Sequence, residues 1–246
     1  MRWIVGDVHG CVRELDDLLK LIRFDPGTDE LWSCGDLVNT GPESAQVLRL
    51  WRDAGGRTVI GNHDIYAILA RAGRVERRKD KLEELFAADD VEVLLDLLRD
   101  ALTVQFFRRD GKERDVALLH AGVSPKWRSI EETAAMLEAK ERDLDWFQLP
   151  EVQFLTRVRC CDPAGNQVRF GGKPDDAPPP FRPWDDFYAG DAFVVHGHWA
   201  MRGFYRNERT MGLDSACVYG GKLTAWCLDE DRVESVPCRV AVGYKG

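Results

Sequence analysis

Short apolar runs alternate with helically spaced apolar residues through the first third of the chain. Trp3 to Val5 is a strand-length apolar run that ends at Gly6. Leu15, Leu18, Leu19 and Ile22 then recur every three or four residues, the spacing of one helix face. Leu31 and Trp32 form a second run, stopped by Gly35-Asp36. Val47, Leu48 and Trp51 predict another helix, with Ser44 as its N-cap after Pro42. Thr58 to Ile60 reads as a third strand closed by Gly61, and Ile65, Ile68 and Leu69 continue as a helix. The order β-α-β-α-β predicts a largely parallel sheet with crossover helices, an α/β fold.

Residues 79–100 are amphipathic and helical in pattern, with Leu82, Leu85, Phe86, Val91, Leu94, Leu95 and Leu98 on the apolar side. Thr103–Phe107 and Val116–Leu119 predict two strands of a hairpin around Asp110-Gly111. Glu131–Glu141 predicts a short helix. Residues 162–186 are rich in Pro, Gly and Asp and predict a surface loop, since Pro178-Pro179-Pro180 cannot lie inside a helix. From Phe193 onward short strands alternate with glycines. Neither an internal repeat nor a linker breaks the pattern, so residues 1–246 are read as one domain, with residues 75–100 a candidate helical cap.

Composition narrows the function. With 34 Lys+Arg against 42 Asp+Glu, the net charge of −8 offers no general field for nucleic acid or a membrane surface. A phosphate-bearing substrate would therefore need local cations. No apolar run reaches bilayer-spanning length, and Met1–Val5 meets Gly6-Asp7 too soon for a signal peptide. The seven cysteines form no CxxC pair and are expected to be reduced thiols in a cytoplasmic protein.

The five histidines carry the chemistry. His9, His63, His120, His196 and His198 each follow a short apolar run, beside Gly, Asp or Asn. In an open α/β sheet ligands bind outside the carboxyl ends of the strands, so these residues are expected on one rim together with Asp7, Asp36, Asn62 and Asp64. Asp7 and His9, two residues apart, make an O,N pair; Asp36 comes from the neighbouring strand and can bridge two cations. Carboxylate, amide and imidazole donors without thiolate suit Mn²⁺, Fe, Co²⁺ or Zn²⁺ rather than a structural cysteine zinc site. Two such cations about 3.5–4 Å apart clamp a phosphoryl group and lower the pKa of a bound water.

The motifs GDVHG (6–10), GDLVNTG (35–41), GNHD (61–64), HAG (120–122) and HGH (196–198) resemble those of the phosphoprotein phosphatase branch of the calcineurin-like metallophosphoesterases. Within it the chain most resembles the symmetrical bis(5′-nucleosyl)-tetraphosphatases, through stretches such as residues 24–44, 120–127, 156–159, 177–184 and 213–226. The resemblance implies central β-sheets sandwiched by helices and two divalent ions, Mn²⁺ first among the candidates. It implies Asp7, His9 and Asp36 on one ion and Asp36, Asn62, His120 and His198 on the other, with His63 as general acid and Asp64 as its motif neighbour. It also implies phosphate binding by Arg157 and Arg159, with Asn62 beside them, and a base-facing Tyr219; His196 is left to packing. The implied reaction splits diadenosine tetraphosphate into two ADP, and nucleoside-tetraphosphate caps on RNA ends would yield to the same chemistry. A protein serine/threonine phosphatase and a nucleotide-binding protein with weak catalysis are the alternatives.

Three departures stand out. Relatives carry a phosphate-binding Arg where this chain has Thr40, and Arg71, Arg74, Arg77 and Arg78 are the nearby cations that could replace it. Eukaryotic phosphatases carry an Asp where this chain has Asn39. The segment between Trp127 and Thr156 is also shorter than in typical tetraphosphatases.

Overall fold

Two five-stranded sheets lie face to face in a computed structural model that describes residues 1–77, 79–109, 111, 114–239 and 241. The first sheet contains β1 (Arg2–Val5), β2 (Glu30–Ser33), β3 (Arg57–Thr58), β11 (Lys222–Cys227) and β12 (Arg232–Pro237) in the order β12-β11-β1-β2-β3. The second contains β4 (Gln105–Phe107), β5 (Val116–Leu118), β8 (Phe193–His196), β9 (Tyr205–Arg206) and β10 (Thr210–Gly212) in the order β4-β5-β8-β10-β9. A small third sheet pairs β6 (Cys160–Cys161) with β7 (Arg182–Pro183) inside the Pro-rich loop region.

Strand alternation builds the sandwich. Ile4, Trp32 and Trp226 of the first sheet share one buried cluster with Phe107, Val116, Leu118, Val195 and Met211 of the second. Their neighbours Trp3, Val5, Ala117 and Val194 point the other way and join the cluster formed with the apolar faces of the helices. Those helices are α1 (Val12–Leu21), α2 (Ser44–Asp53), α3 (Asn62–Arg71), α4 (Glu83–Phe86), α5 (Val91–Arg99), α6 (Ile130–Glu138) and α7 (Pro150–Arg157).

The parallel β-α-β-α-β start is present as β1, β2 and β3, but the sheet as a whole is mixed, because β11 pairs antiparallel with β1. The amphipathic stretch from 79 to 100 is two helices, broken over residues 87–90. Both pack on the helical layer, α4 on α2 and α5 on α2 and α3. The hairpin partners β4 and β5 pair as expected, while Asp110 of its turn lies outside the described residues. Ser44 does not cap α2: its Oγ accepts from the Asn39 N–H, and the helix N-terminus is met instead by Glu84 of α4, which accepts from the Ala45 N–H at 2.8 Å. No helix among the described residues is long and apolar enough to cross a membrane.

Candidate active site

β1, β2 and β3 run parallel, as do β5 and β8, so in each sheet the carboxyl ends share one edge. The first three ends deliver Asp7 and His9, Asp36, and Asn62 and His63; the other two deliver His120 and His198. The sheets are tied where these ends meet: His120 Nδ1 donates to Cys34 O at 2.7 Å, and the His198 N–H donates to Asp7 Oδ2 at 3.0 Å. A Cβ on Gly197 would collide with Asp7 Oδ1, and one on Gly61 with Asp36 Oδ1, so only glycine allows these approaches.

Asp36 lies at the centre of two groups. One brings it together with His9 and His63, the other with His120 and His198. His9 Nε2 lies 3.6 Å and His120 Nε2 3.4 Å from Asp36 Oδ2. Each of the three candidate ring ligands has its remote nitrogen on a backbone carbonyl: His9 Nδ1 on Val38 O, His120 Nδ1 on Cys34 O and His198 Nε2 on Arg157 O. That fixes the tautomer and leaves His9 Nε2, His120 Nε2 and His198 Nδ1 as bare lone pairs. Five of the nine non-glycine residues with positive φ among those described are His9, Asp36, Asn39, Thr40 and His198, so backbone strain is concentrated at this centre.

The profile of the Calcineurin-like phosphoesterase family matches residues 2–228. The chain belongs to this family. Among its relatives, a protein of Erwinia tasmaniensis named "Bis(5'-nucleosyl)-tetraphosphatase, symmetrical" is 35% identical over 96% of this chain and 97% of that protein. A protein of the same name from Edwardsiella ictaluri is 37% identical over 97% of this chain and 96% of that protein. A solved structure described as a candidate diadenosine tetraphosphatase is 30% identical and superposes with a TM-score of 0.71, covering 100% of this chain and 94% of that one.

The family implies divalent metal ions, and the donors of this phosphoesterase fit them. Asp7 Oδ2 accepts from the His198 N–H, but its buried Oδ1 has no hydrogen-bond partner among the described residues. One end of the Asn62 amide lies 3.2 Å from His120 Nε2 and 2.8 Å from His198 Nδ1, so amide and rings converge on one spot. Burial, with the Asp214 and Asp36 charges, pushes the Asp7 carboxyl well above its usual range. Burial would do the same to Asp36, but His120, His63 and His9 outweigh it and hold that carboxyl well below. Carboxylates crowded in this way are what a cation relieves.

Other predicted residues divide in two. His63, Arg157, Arg159 and Tyr219 line a crevice of about 780 Å³ together with His9, Asp36, Asn62 and His198. Desolvation there pulls the His63 imidazole down to about 4, against the Asp36 charge that favours its protonation. Asp64 is fully buried and faces backbone instead: its oxygens accept from the N–H groups of Asp36, Leu37, Val38 and Gly61. Expected as the motif neighbour of the acid histidine, Asp64 has both its oxygens engaged by backbone N–H groups. His196 packs as expected, its Nε2 2.6 Å from the Tyr205 hydroxyl.

Arg71, Arg74 and Arg77 do not serve as substitute phosphate cations. They pair with Glu92, Asp145 and Asp80, and none lines the crevice; Arg78 lies outside the described residues. Among the described residues, the crevice lining contains nothing from residues 75–100. Sequence reasoning missed Asp214, buried beside Asp7, and the loop residues Arg169 and Phe170 on the crevice wall. Asp214 follows an apolar run, as the other site carboxylates do, and that signal could have found it. The loop pair carries no such mark.

Proposed function

We propose that this phosphoesterase hydrolyses dinucleoside tetraphosphates symmetrically, releasing two nucleoside diphosphates, with diadenosine tetraphosphate as the type substrate. The observation that carries the reading is the pair of ligand groups sharing Asp36 at the floor of a crevice lined by arginines. The names of the relatives point to the same bond. Asp7, His9 and Asp36 would hold one divalent ion, and Asp36, Asn62, His120 and His198 the other. The donor set, oxygen and imidazole without thiolate, favours Mn²⁺ over softer-ligand metals. When bound, such a pair supplies Lewis-acid charge to the phosphoryl oxygens and acidifies a water.

The chain's own groups do the rest. Asn39 Oδ1 receives the N–H groups of Thr40 and Lys81 at 2.7 and 3.0 Å, so its NH₂ faces His63 Nδ1 at 3.1 Å. Nδ1 is then the acceptor and the ring proton sits on Nε2. From there it donates a hydrogen bond to the leaving phosphate oxygen, which departs with the negative charge of a diphosphate as the P–O–P bond breaks, and the other phosphate takes its new oxygen from water. Arg157, whose guanidinium can form a fork with phosphate, meets the charge that develops. No covalent enzyme intermediate is needed. The same bond in a nucleoside-tetraphosphate cap on RNA falls within this chemistry.

Chromatography of diadenosine tetraphosphate incubated with protein and Mn²⁺ tests the proposal. ADP is the expected sole nucleotide product, and His63→Ala should lower kcat by about 10²–10⁴-fold. ATP with AMP would overturn the symmetrical cleavage. Turnover of a phosphopeptide but not of the nucleotide would hand the site to a protein phosphatase.

A further inference from the structure

A tetraphosphate chain is longer than a two-metal clamp. Ions about 3.5–4 Å apart grip the phosphoryl under attack, and the phosphates on either side extend beyond them, each carrying charge. In a chain of net charge −8, those outer phosphates need cations of their own. The crevice wall offers three arginines and, among the described residues, no lysine.

The three differ in what they already hold. Arg159 is a strut: its Nη1 donates to Phe170 O at 3.3 Å and its Nη2 to His198 O at 3.1 Å. Arg157 ends α7 beside the metal ligands, and its carbonyl receives His198 Nε2. Arg169 is exposed and forms no hydrogen bond or ion pair among the described residues. Its backbone, by contrast, is fixed on both sides. Gln167 bridges Cys161, the Val168 N–H reaches Cys160 O, Phe170 O is held by Arg159, and Gly172 O accepts from Trp199 Nε1 at 2.9 Å. A rigid backbone carrying an unengaged guanidinium over a phosphate crevice is a preorganised anion contact.

We infer that Arg169 binds the outer phosphates of the substrate, beyond the phosphoryl that reacts, and so selects for a polyphosphate chain over a single phosphate. The inference rests on the dinucleoside-tetraphosphate reading for its natural substrate. Its test does not, because inorganic tripolyphosphate probes the same subsite.

The experiment compares wild type, Arg169→Ala and Arg169→Lys in Mn²⁺ held in excess. It measures KM and kcat for diadenosine tetraphosphate, and inhibition of p-nitrophenyl phosphate hydrolysis by tripolyphosphate and by orthophosphate. Arg169→Ala should raise KM for the nucleotide about tenfold with kcat within about twofold, the signature of lost uniform binding. It should weaken tripolyphosphate inhibition about tenfold and orthophosphate inhibition less than twofold, and Arg169→Lys should recover part of each loss. Unchanged tripolyphosphate inhibition overturns the role of Arg169, as does an equal loss for both inhibitors. A wild type that hydrolyses p-nitrophenyl phosphate but not the nucleotide overturns the proposed substrate instead, and weakened tripolyphosphate inhibition would still uphold the subsite.

Discussion

Asp64 shows how a buried carboxylate bonded only to backbone can shape the turn that carries a candidate metal ligand. Four backbone N–H groups, three of them from the Asp36–Val38 turn, converge on its carboxylate. They hold Asp36 at a positive φ of 53°, a conformation that non-glycine residues adopt only under constraint. Burial pushes the Asp64 carboxyl up to about 6 while these donors favour its charged form. Asp64→Ala would leave several buried N–H groups without an acceptor, an expected destabilisation of about 3 kcal/mol. Urea unfolding measures it, and a loss under about 1 kcal/mol would show that the turn holds itself. At this scale the candidate ligands were legible in the sequence because each histidine and carboxylate follows a short apolar run that reads as a strand end. Asp64 was legible as a neighbour but not as an anchor, since its partners lie 26 to 28 residues back in the chain. Arg169 lies in a glycine-bearing loop with no periodicity, where sequence says only that the residue is exposed.

Among the elements, the turn joining β11 to β12 links the two sheets. Asp231 accepts from Arg206 of β9 at 2.7 Å and from Trp226 Nε1 of β11 at 2.9 Å. The Arg206 hydrogen bond, outweighing partial burial, with Trp226 and the Arg206 charge behind it, takes the Asp231 carboxyl down to about 2. A folded-state pKa below the unfolded value of about 3.9 stabilises the fold above that pH, and the gain disappears as pH falls through about 2. For a partly exposed pair the screened contribution is about 1 kcal/mol. Wild type should therefore exceed Asp231→Asn by about that much at pH 5 and converge with it near pH 2, read from urea midpoints. A constant gap would assign the difference to packing. The sequence made β1, β2 and β3 readable, because each is followed in the chain by a helix of its own. It could not reveal that β11, more than 200 residues later, pairs with β1 and turns the sheet mixed. The capping of α2 by Glu84 escaped for the same reason, while Ser44 stood at the expected place and bonded elsewhere.

For the whole molecule, the candidate ligands belong to both sheets: Asp7, His9, Asp36 and Asn62 follow strands of one, His120 and His198 strands of the other. An ion held between them would act as a tie across the sandwich as well as a reactive centre, and it would offset the buried Asp7, Asp36 and Asp214 charges. Binding to the folded state alone stabilises by about 2.7 kcal/mol at a metal concentration of about 100 Kd, roughly 5–10 °C in Tm for a chain of this size. Thermal scans with Mn²⁺ and with a chelator should differ by that much, and Asp36→Ala should abolish the difference. Equal Tm values would show that the sheets need no ionic tie.

The strand order also bears on synthesis. β1 gains β2 and β3 on one side within some fifty residues, yet its other neighbour, β11, follows more than 200 residues after it. Until β11 has been made, the nascent polypeptide therefore presents the hydrophobic residues Trp3, Ile4 and Val5 along an open strand edge, the kind of template on which unfinished chains join one another.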